Sequence, residues 1–218
     1  MSVLDDLANK YQTDKGTKYP GKSKHGYAPV YESYLEKWKN HPIRLLEVGI
    51  CMEGTDGGHS IRTWHEYFPN AEIHGFDIVD MKKLEKEMNR VKIYQGDQTK
   101  RDHFELMYSY FGGKEFDFIL EDGSHVHEHQ MISFGALFKY VKSGGYYILE
   151  DMTERFVDTC CIRNDETFDI IKQYAETGVI NCQYITNEEK QYIESNTLKV
   201  DIHKDIQDAY RTAIIHKK

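Results

Sequence analysis

The chain has 218 residues and a net charge of −8, with 28 Lys and Arg against 36 Asp and Glu. That length suits one large domain with a real core, and the acidic balance, free of any basic block, argues against a nucleic-acid surface. No apolar run is long enough to span a bilayer and nothing resembles a signal peptide. The four cysteines (Cys51, Cys160, Cys161, Cys182) lack metal-type spacing, so a cytoplasmic protein with reduced thiols and no membrane partner is expected.

Leu4, Leu7 and Ala8 predict a short first helix. The stretch TDKGTKYPGKSKHGYAP follows, too polar and broken for a core segment, and Tyr31, Tyr34, Leu35 and Trp38 then resume helical spacing. Residues 1–40 therefore read as an N-terminal lid or helical segment on a domain spanning 41–218. A plain solvated loop is the competing reading of the polar stretch, although long irregular loops in compact domains are often functional.

Ile43–Val48 is the first strong strand and runs into EVGICMEGTDGGHS, where glycines would let the backbone approach a ligand. A helix with Ile61, Trp64 and Phe68 on one face stops at Pro69–Asn70. The second strand, Glu72–Phe76, ends in Asp77, an acid placed to bond ribose hydroxyls in a nucleotide-binding sheet. A short charged helix turns Leu84 and Met88 inward. Strand Val91–Tyr94 then ends near Asp97 and Gln98, a natural place for adenine-edge hydrogen bonds. Helix 101–111 buries Phe104, Met107 and Phe111.

The most informative stretch is 116–151. Two apolar runs, Phe116–Leu120 and Tyr146–Leu149, end in paired acids, Glu121–Asp122 and Glu150–Asp151. Between them Ile132, Phe134, Leu137, Phe138 and Val141 recur at helical spacing, with Gly144–Gly145 as a stop. A parallel crossover brings both strand ends to one sheet edge, where open α/β sheets bind ligands. Asp122, His125, Glu150 and Asp151 should converge there. Such a set suits a hard divalent cation and a general base, whereas single acids after strands also serve as helix caps. Residues 152–165 read as irregular. Phe168, Ile171, Tyr174 and Ala175 give another helix, closed by Gly178. Leu198–His203 and Thr212–His216 are expected to form an antiparallel hairpin at the sheet edge.

Assembled, the motifs LLEVG (45–49), FPNAEIHGFDI (68–78), GDQ (96–98), EDGSH (121–125) and LED (149–151), with TDKG (13–16) and HGY (25–27), resemble class I S-adenosylmethionine-dependent methyltransferases. Within that class the chain is similar to the magnesium-dependent sugar O-methyltransferases that act on macrolide deoxysugars and related glycosides. The resemblance implies a Rossmann-like fold: a doubly wound, mainly parallel seven-stranded sheet with a C-terminal antiparallel hairpin. It implies S-adenosylmethionine and Mg2+ as cofactors and a sugar or glycoside hydroxyl as acceptor. Asp122, Glu150 and Asp151 are the implied metal ligands and His125 the implied base. Thr13, Lys15, Glu47, Gly49, Asp77, Ile78, Asp97, Gln98 and Glu121 are the implied cofactor contacts. The glycine-rich turn is longer and less regular than the family's, and Glu121 stands where Asp is usual. The large N-terminal domain of some relatives is missing, so their oligomer contacts and substrate-capping residues are not carried over, and a homo-oligomer stays open. The runner-up is a phenolic or catechol O-methyltransferase. A nucleotide-binding module without chemistry is a third reading, and an NAD enzyme would need a tighter G-x-G-x-x-G.

Overall fold

The computed structural model describes all residues except 1, 22–24, 52–54, 153, 158–159 and 164–165, with backbone alone for 154–157, 160–163 and 210. Seven strands form one mixed sheet in the order β3-β2-β1-β4-β5-β9-β8. Strands β1 (Arg44–Val48), β2 (Glu72–Asp77), β3 (Val91–Gln95), β4 (Phe116–Glu121) and β5 (Val141–Leu149) run parallel. The last two, β8 (Thr197–Lys204) and β9 (Tyr210–Lys217), complete the sheet as an antiparallel hairpin against β5. This is the doubly wound methyltransferase-type fold expected from the sequence. Strand order reverses between β1 and β4, so the switch-point crevice opens at their C-terminal ends.

Side-chain alternation sorts each strand between two layers. Leu45, Ile73, Ile93, Leu120, Ile148 and Ile214 face α1 (Val3–Lys10), α2 (Ala28–Leu35) and α3 (His59–Tyr67). Leu46, Val48, Phe76, Ile119, Leu149 and Ile215 face the opposite layer. That layer comprises α5 (Arg101–Tyr110), α6 (His127–Leu137), α7 (Glu166–Thr177) and α8 (Asn187–Asn196), whereas the short α4 (Lys83–Glu87), beside β3, packs Leu84 into the first layer. Helix α6 is buried from Gln130 to Leu137, wedged between sheet and outer helices. Each such apolar side chain contributes roughly 1.5–3 kcal/mol on burial. The same alternation sends Glu47 and Glu150 toward the α1–α3 layer, which decides what they meet.

Two features depart from the sequence reading, and a third concerns the polar stretch for which it left two readings open. Residues 152–165, expected to be irregular, contain a two-stranded antiparallel sheet, β6 (Glu154–Val157) with β7 (Cys160–Arg163). Helix α8 was not anticipated: NEEKQYIESN buries only Ile193, and the helix starts from a capping box in which Thr186 and Glu189 satisfy each other's backbone. The polar stretch after α1 is not a solvated loop. Asp5 accepts from the amide and hydroxyl of Thr17 (2.7 Å each), Asn9 accepts from Lys18 N (2.7 Å), and Asp14 O accepts from His25 N and Gly26 N. Thr13, Lys15, His25 and Tyr27 are buried as a result. Of the four cysteines, Cys51 and Cys182 are free thiols, and the side chains of Cys160 and Cys161 lie outside the described set. No described helix is long and apolar enough to cross a membrane.

Candidate active site

The C-terminal ends of β1 to β4 enclose a cavity of about 290 Å3 lined by Gly49, Asp77, Ile78, Asp97, Gln98 and Asp122, among others. Gly49 is indispensable there for a reason internal to the sheet. Its φ is +84°, and a Cβ would stand 1.9 Å from the carbonyl oxygen of Asp122, so glycine lets β1 and β4 meet at the crevice floor. Asp77 spends its carboxylate on the β1 turn: Oδ2 accepts from Ile50 N (2.7 Å) and Cys51 N (2.9 Å), and Oδ1 from Val79 N (2.8 Å). Asp97 accepts from the Thr99 amide and hydroxyl, which together hold its carboxyl below the usual range. Gln98 spans two loops, donating to Glu121 Oε1 (3.0 Å) and accepting from Ser124 N (2.9 Å). Ile78 is exposed at the rim, an apolar side chain beside the opening.

Four of the expected cofactor residues, Thr13, Lys15, Glu47 and Glu121, do not line this cavity. Glu47 and Glu121 are fully buried under its floor. Glu47 accepts from Trp64 Nε1 (2.9 Å), because strand alternation points it at α3. Burial pushes both carboxyls up to about 7; Lys15 opposes the shift at Glu47, and His125 opposes it at Glu121.

The ends of β4 and β5 are charged instead. Lys15 Nζ bonds Asp122 Oδ2 directly and lies 3.0 Å from Glu150 Oε2, 3.8 Å from Glu47 Oε1 and 3.9 Å from Asp14 Oδ1. Tyr31 donates to Glu150 Oε1 (2.7 Å) and Tyr27 to Asp151 Oδ1 (2.5 Å). Gln130 of α6 donates to the Glu150 carbonyl (2.8 Å) and is held by Thr167. Burial, and next the charge of Asp122, hold Glu150 well above the usual carboxylate range. Burial likewise raises Asp122, against the pull of Lys15. Asp151 goes the other way: burial would raise it, but His25, His125 and the Tyr27 hydroxyl keep it low.

His125 Nε2 stands 3.9 Å from Asp122 Oδ1 and 3.7 Å from Asp151 Oδ2, and His25 Nε2 is also 3.7 Å from Asp151 Oδ2. Asp122, His125 and Asp151 each offer a donor atom, all within 4.8 Å of one another. Two of the four described non-glycine residues with positive φ are His125 (55°) and Asp151 (51°). Such conformations are uncommon and gather at functional sites. The carboxylates of this set fit a hard divalent cation, with the His125 imidazole beside them, and they are crowded enough that one carboxyl is driven toward protonation without a counter-charge. Glu150 adjoins the cluster, but its oxygens face Lys15 and Tyr31.

Sequence reasoning therefore brought Asp122, His125, Glu150 and Asp151 together at one rim. It missed Tyr27, Tyr31 and His25, and gave Lys15 no tie to the acids. One signal was present: Tyr27 and Tyr31 are four apart, hence on one helical face. Three other histidines have defined side-chain partners, and one of them, His129, also lines the cavity. His127 pairs with Thr167, His129 with Ser124, and His59 Nδ1 with the Tyr11 carbonyl.

No family model matches the chain. It is 33% identical over 151 residues to mycinamicin VI 2''-O-methyltransferase of Micromonospora griseorubida, covering 68% of this chain and 36% of that protein. It is 34% identical over 151 residues to demethylmacrocin O-methyltransferase of Streptomyces fradiae, with the same coverage. Among solved structures, the MycE methyltransferase in complex with Mg, SAH and mycinamycin VI matches with a TM-score of 0.74 at 25% identity, over 98% of this chain and 53% of that one. The chain thus spans 36% of the length of these curated relatives, and its resemblance to macrolide and sugar O-methyltransferases holds in both sequence and fold.

Proposed function

We propose that this chain transfers a methyl group from S-adenosylmethionine to a hydroxyl of a sugar or glycoside, with magnesium assisting. The observation that carries this reading is the convergence of Asp122, His125 and Asp151 donor atoms within 4.8 Å beside the switch-point cavity. Kinship with O-methyltransferases named for glycosylated macrolides supports the acceptor class. The cavity bounded by Gly49, Asp77, Ile78, Asp97 and Gln98 is assigned to the cofactor. Residues 1–40 are assigned as a cap over the rim, with Thr13, Lys15, Glu47 and Glu121 supporting the site from beneath.

Asp122, Glu150 and Asp151 would hold the cation, which when bound lowers the pKa of an acceptor hydroxyl and fixes its oxygen. His125 Nε2 takes the hydroxyl proton as the O–CH3 bond forms. S-adenosylmethionine, held in the cavity bounded by Gly49, Asp77, Ile78, Asp97 and Gln98, would supply the methyl group from its sulfonium, with S-adenosylhomocysteine as the by-product. Asp122 and Asp151, each within 4 Å of Nε2, stabilise the imidazolium that results. The closed rim aligns nucleophile and methyl, which supplies much of the rate in an in-line transfer.

The test is to incubate the protein with S-adenosylmethionine, Mg2+ and a panel of glycosides and nucleotide sugars, reading a one-methyl mass gain. Turnover should vanish in excess chelator and return with Mg2+. Full activity in chelator would sink the metal mechanism, and methylation of catechols alone would move the assignment to the phenolic class.

A further inference from the structure

The expected cation site already contains a cation. Lys15 is 3% exposed, and its ammonium reaches four carboxylates, the tightest being Asp122 and Glu150, two of the three assigned metal ligands. Tyr31 takes the other Glu150 oxygen. An oxygen shared between an ammonium and a divalent ion would bring like charges within a few ångströms in a water-poor site, where repulsion is poorly screened. The two cations cannot both sit well.

We propose that Lys15 is a tethered competitor of the divalent cation: it neutralises Asp122 and Glu150 in the metal-free protein and is displaced when the metal binds. The inference rests on the metal-assisted reading above and adds a residue that sets metal affinity. Two observations support it beyond proximity. Without Lys15 the cluster would be a group of buried carboxylates with no other described lysine or arginine in an ion pair with Asp122, Glu150 or Asp151, so a built-in counter-ion lets the site fold before the metal arrives. Its stem comes from outside the sheet, on a segment tied to α1 by Thr17–Asp5 and Lys18–Asn9 bonds that do not involve the Lys15 side chain. The ammonium can therefore leave while the segment stays anchored.

The experiment measures Mg2+ binding to metal-free protein by calorimetry, without cofactor or acceptor, in wild type and Lys15→Gln. Removing the competing charge should tighten Mg2+ by about tenfold or more, while the metal-free variant melts earlier than wild type. Equal or weaker Mg2+ binding by a folded variant overturns the proposal and leaves the metal reading standing. Absence of Mg2+ binding in both proteins removes the metal reading and this inference with it. Because the variant may fold poorly, a second measurement uses wild type alone: acetylation of Lys15, read by mass spectrometry. Lys15 should be protected in chelator and modified several-fold faster with saturating Mg2+. Equal protection in both conditions overturns the displacement.

Discussion

The two halves of the sheet edge solve different problems. Along β1–β3 the polar side chains find their partners in the loops of this edge and in β4: Asp77 in three backbone amides, Asp97 in Thr99, and Gln98 in Glu121 and Ser124. The cavity there is a preformed concavity with few spare charges. Along β4–β5 the acids outnumber local donors, and relief comes from side chains more than 100 residues away, Lys15, Tyr27 and Tyr31. A quiet half suits recognition of a large cofactor. A crowded half holds electrostatic tension that a cation can release, which is where transition-state stabilisation is usually found.

The largest expected effect lies in the crowded half. His125→Ala should cost about two to four orders of magnitude in turnover, the usual range for a positioned base. Asp122→Ala and Asp151→Ala should cost at least as much, and the double variant little more than either alone, since one missing ligand already disables the site. Binding of S-adenosylhomocysteine, followed by calorimetry, should survive all three. Loss of that binding would mean that the two halves are not separable.

The quiet half should fail by a different route, in acid. His74 of β2 is buried, with Nδ1 2.9 Å from the Leu45 carbonyl and its ring against Phe111 and Phe116. Burial pushes its pKa down to about 4. The native state favours the neutral ring, so the unfolded chain binds the extra proton between its ordinary pKa near 6.5 and 4. Stability should fall as pH drops through that window, by up to about 3 kcal/mol. His74→Gln should flatten this limb in urea titrations. An unchanged slope would place the acid sensitivity elsewhere.

The sheet and its acids were readable because apolar runs ending in Asp and Glu carry their meaning locally. The bounds were less so. Strand β5 begins at Val141, paired with Phe116 before a register shift, where the sequence suggested Tyr146. Helix α8 was invisible because one buried Ile193 gives no periodic signal. The N-terminal stretch could not be decided for a deeper reason: polarity usually means solvent, but here Lys15 and Tyr27 are buried against acids that only the tertiary fold brings near. Lys15 and Asp122 are 107 residues apart, and no window of sequence contains both.

Asp77→Ala sharpens the contrast from the recognition side. The sequence alone suggested a direct ribose contact, whose loss would leave the fold intact. With Oδ2 holding the turn after β1 and Oδ1 the Val79 amide after β2, the substitution should instead cost about 2 kcal/mol of stability by stranding amides. Cofactor affinity should fall in parallel, because the turn that shapes the cavity frays. Equal melting of wild type and variant, with weaker cofactor binding, would restore the simple ribose role.

The smallest expected effect is the most discriminating for the N-terminal segment. Tyr31 is fully buried and donates to Glu150 Oε1 at 2.7 Å, while Thr212 Oγ1 lies 3.2 Å from the same hydroxyl. Tyr31→Phe keeps the ring and removes one donor, leaving Glu150 with Lys15 alone. The loss should be about 1 kcal/mol in metal-free protein, a net hydrogen-bond value. Saturating Mg2+ should shrink it, because the ion then satisfies the oxygen that the phenol has abandoned. Tyr27→Phe, next to Asp151, should behave alike. Parallel urea titrations with and without Mg2+ decide the matter. A penalty that Mg2+ does not reduce would make these phenols props of the core, and would confine the site to the sheet edge.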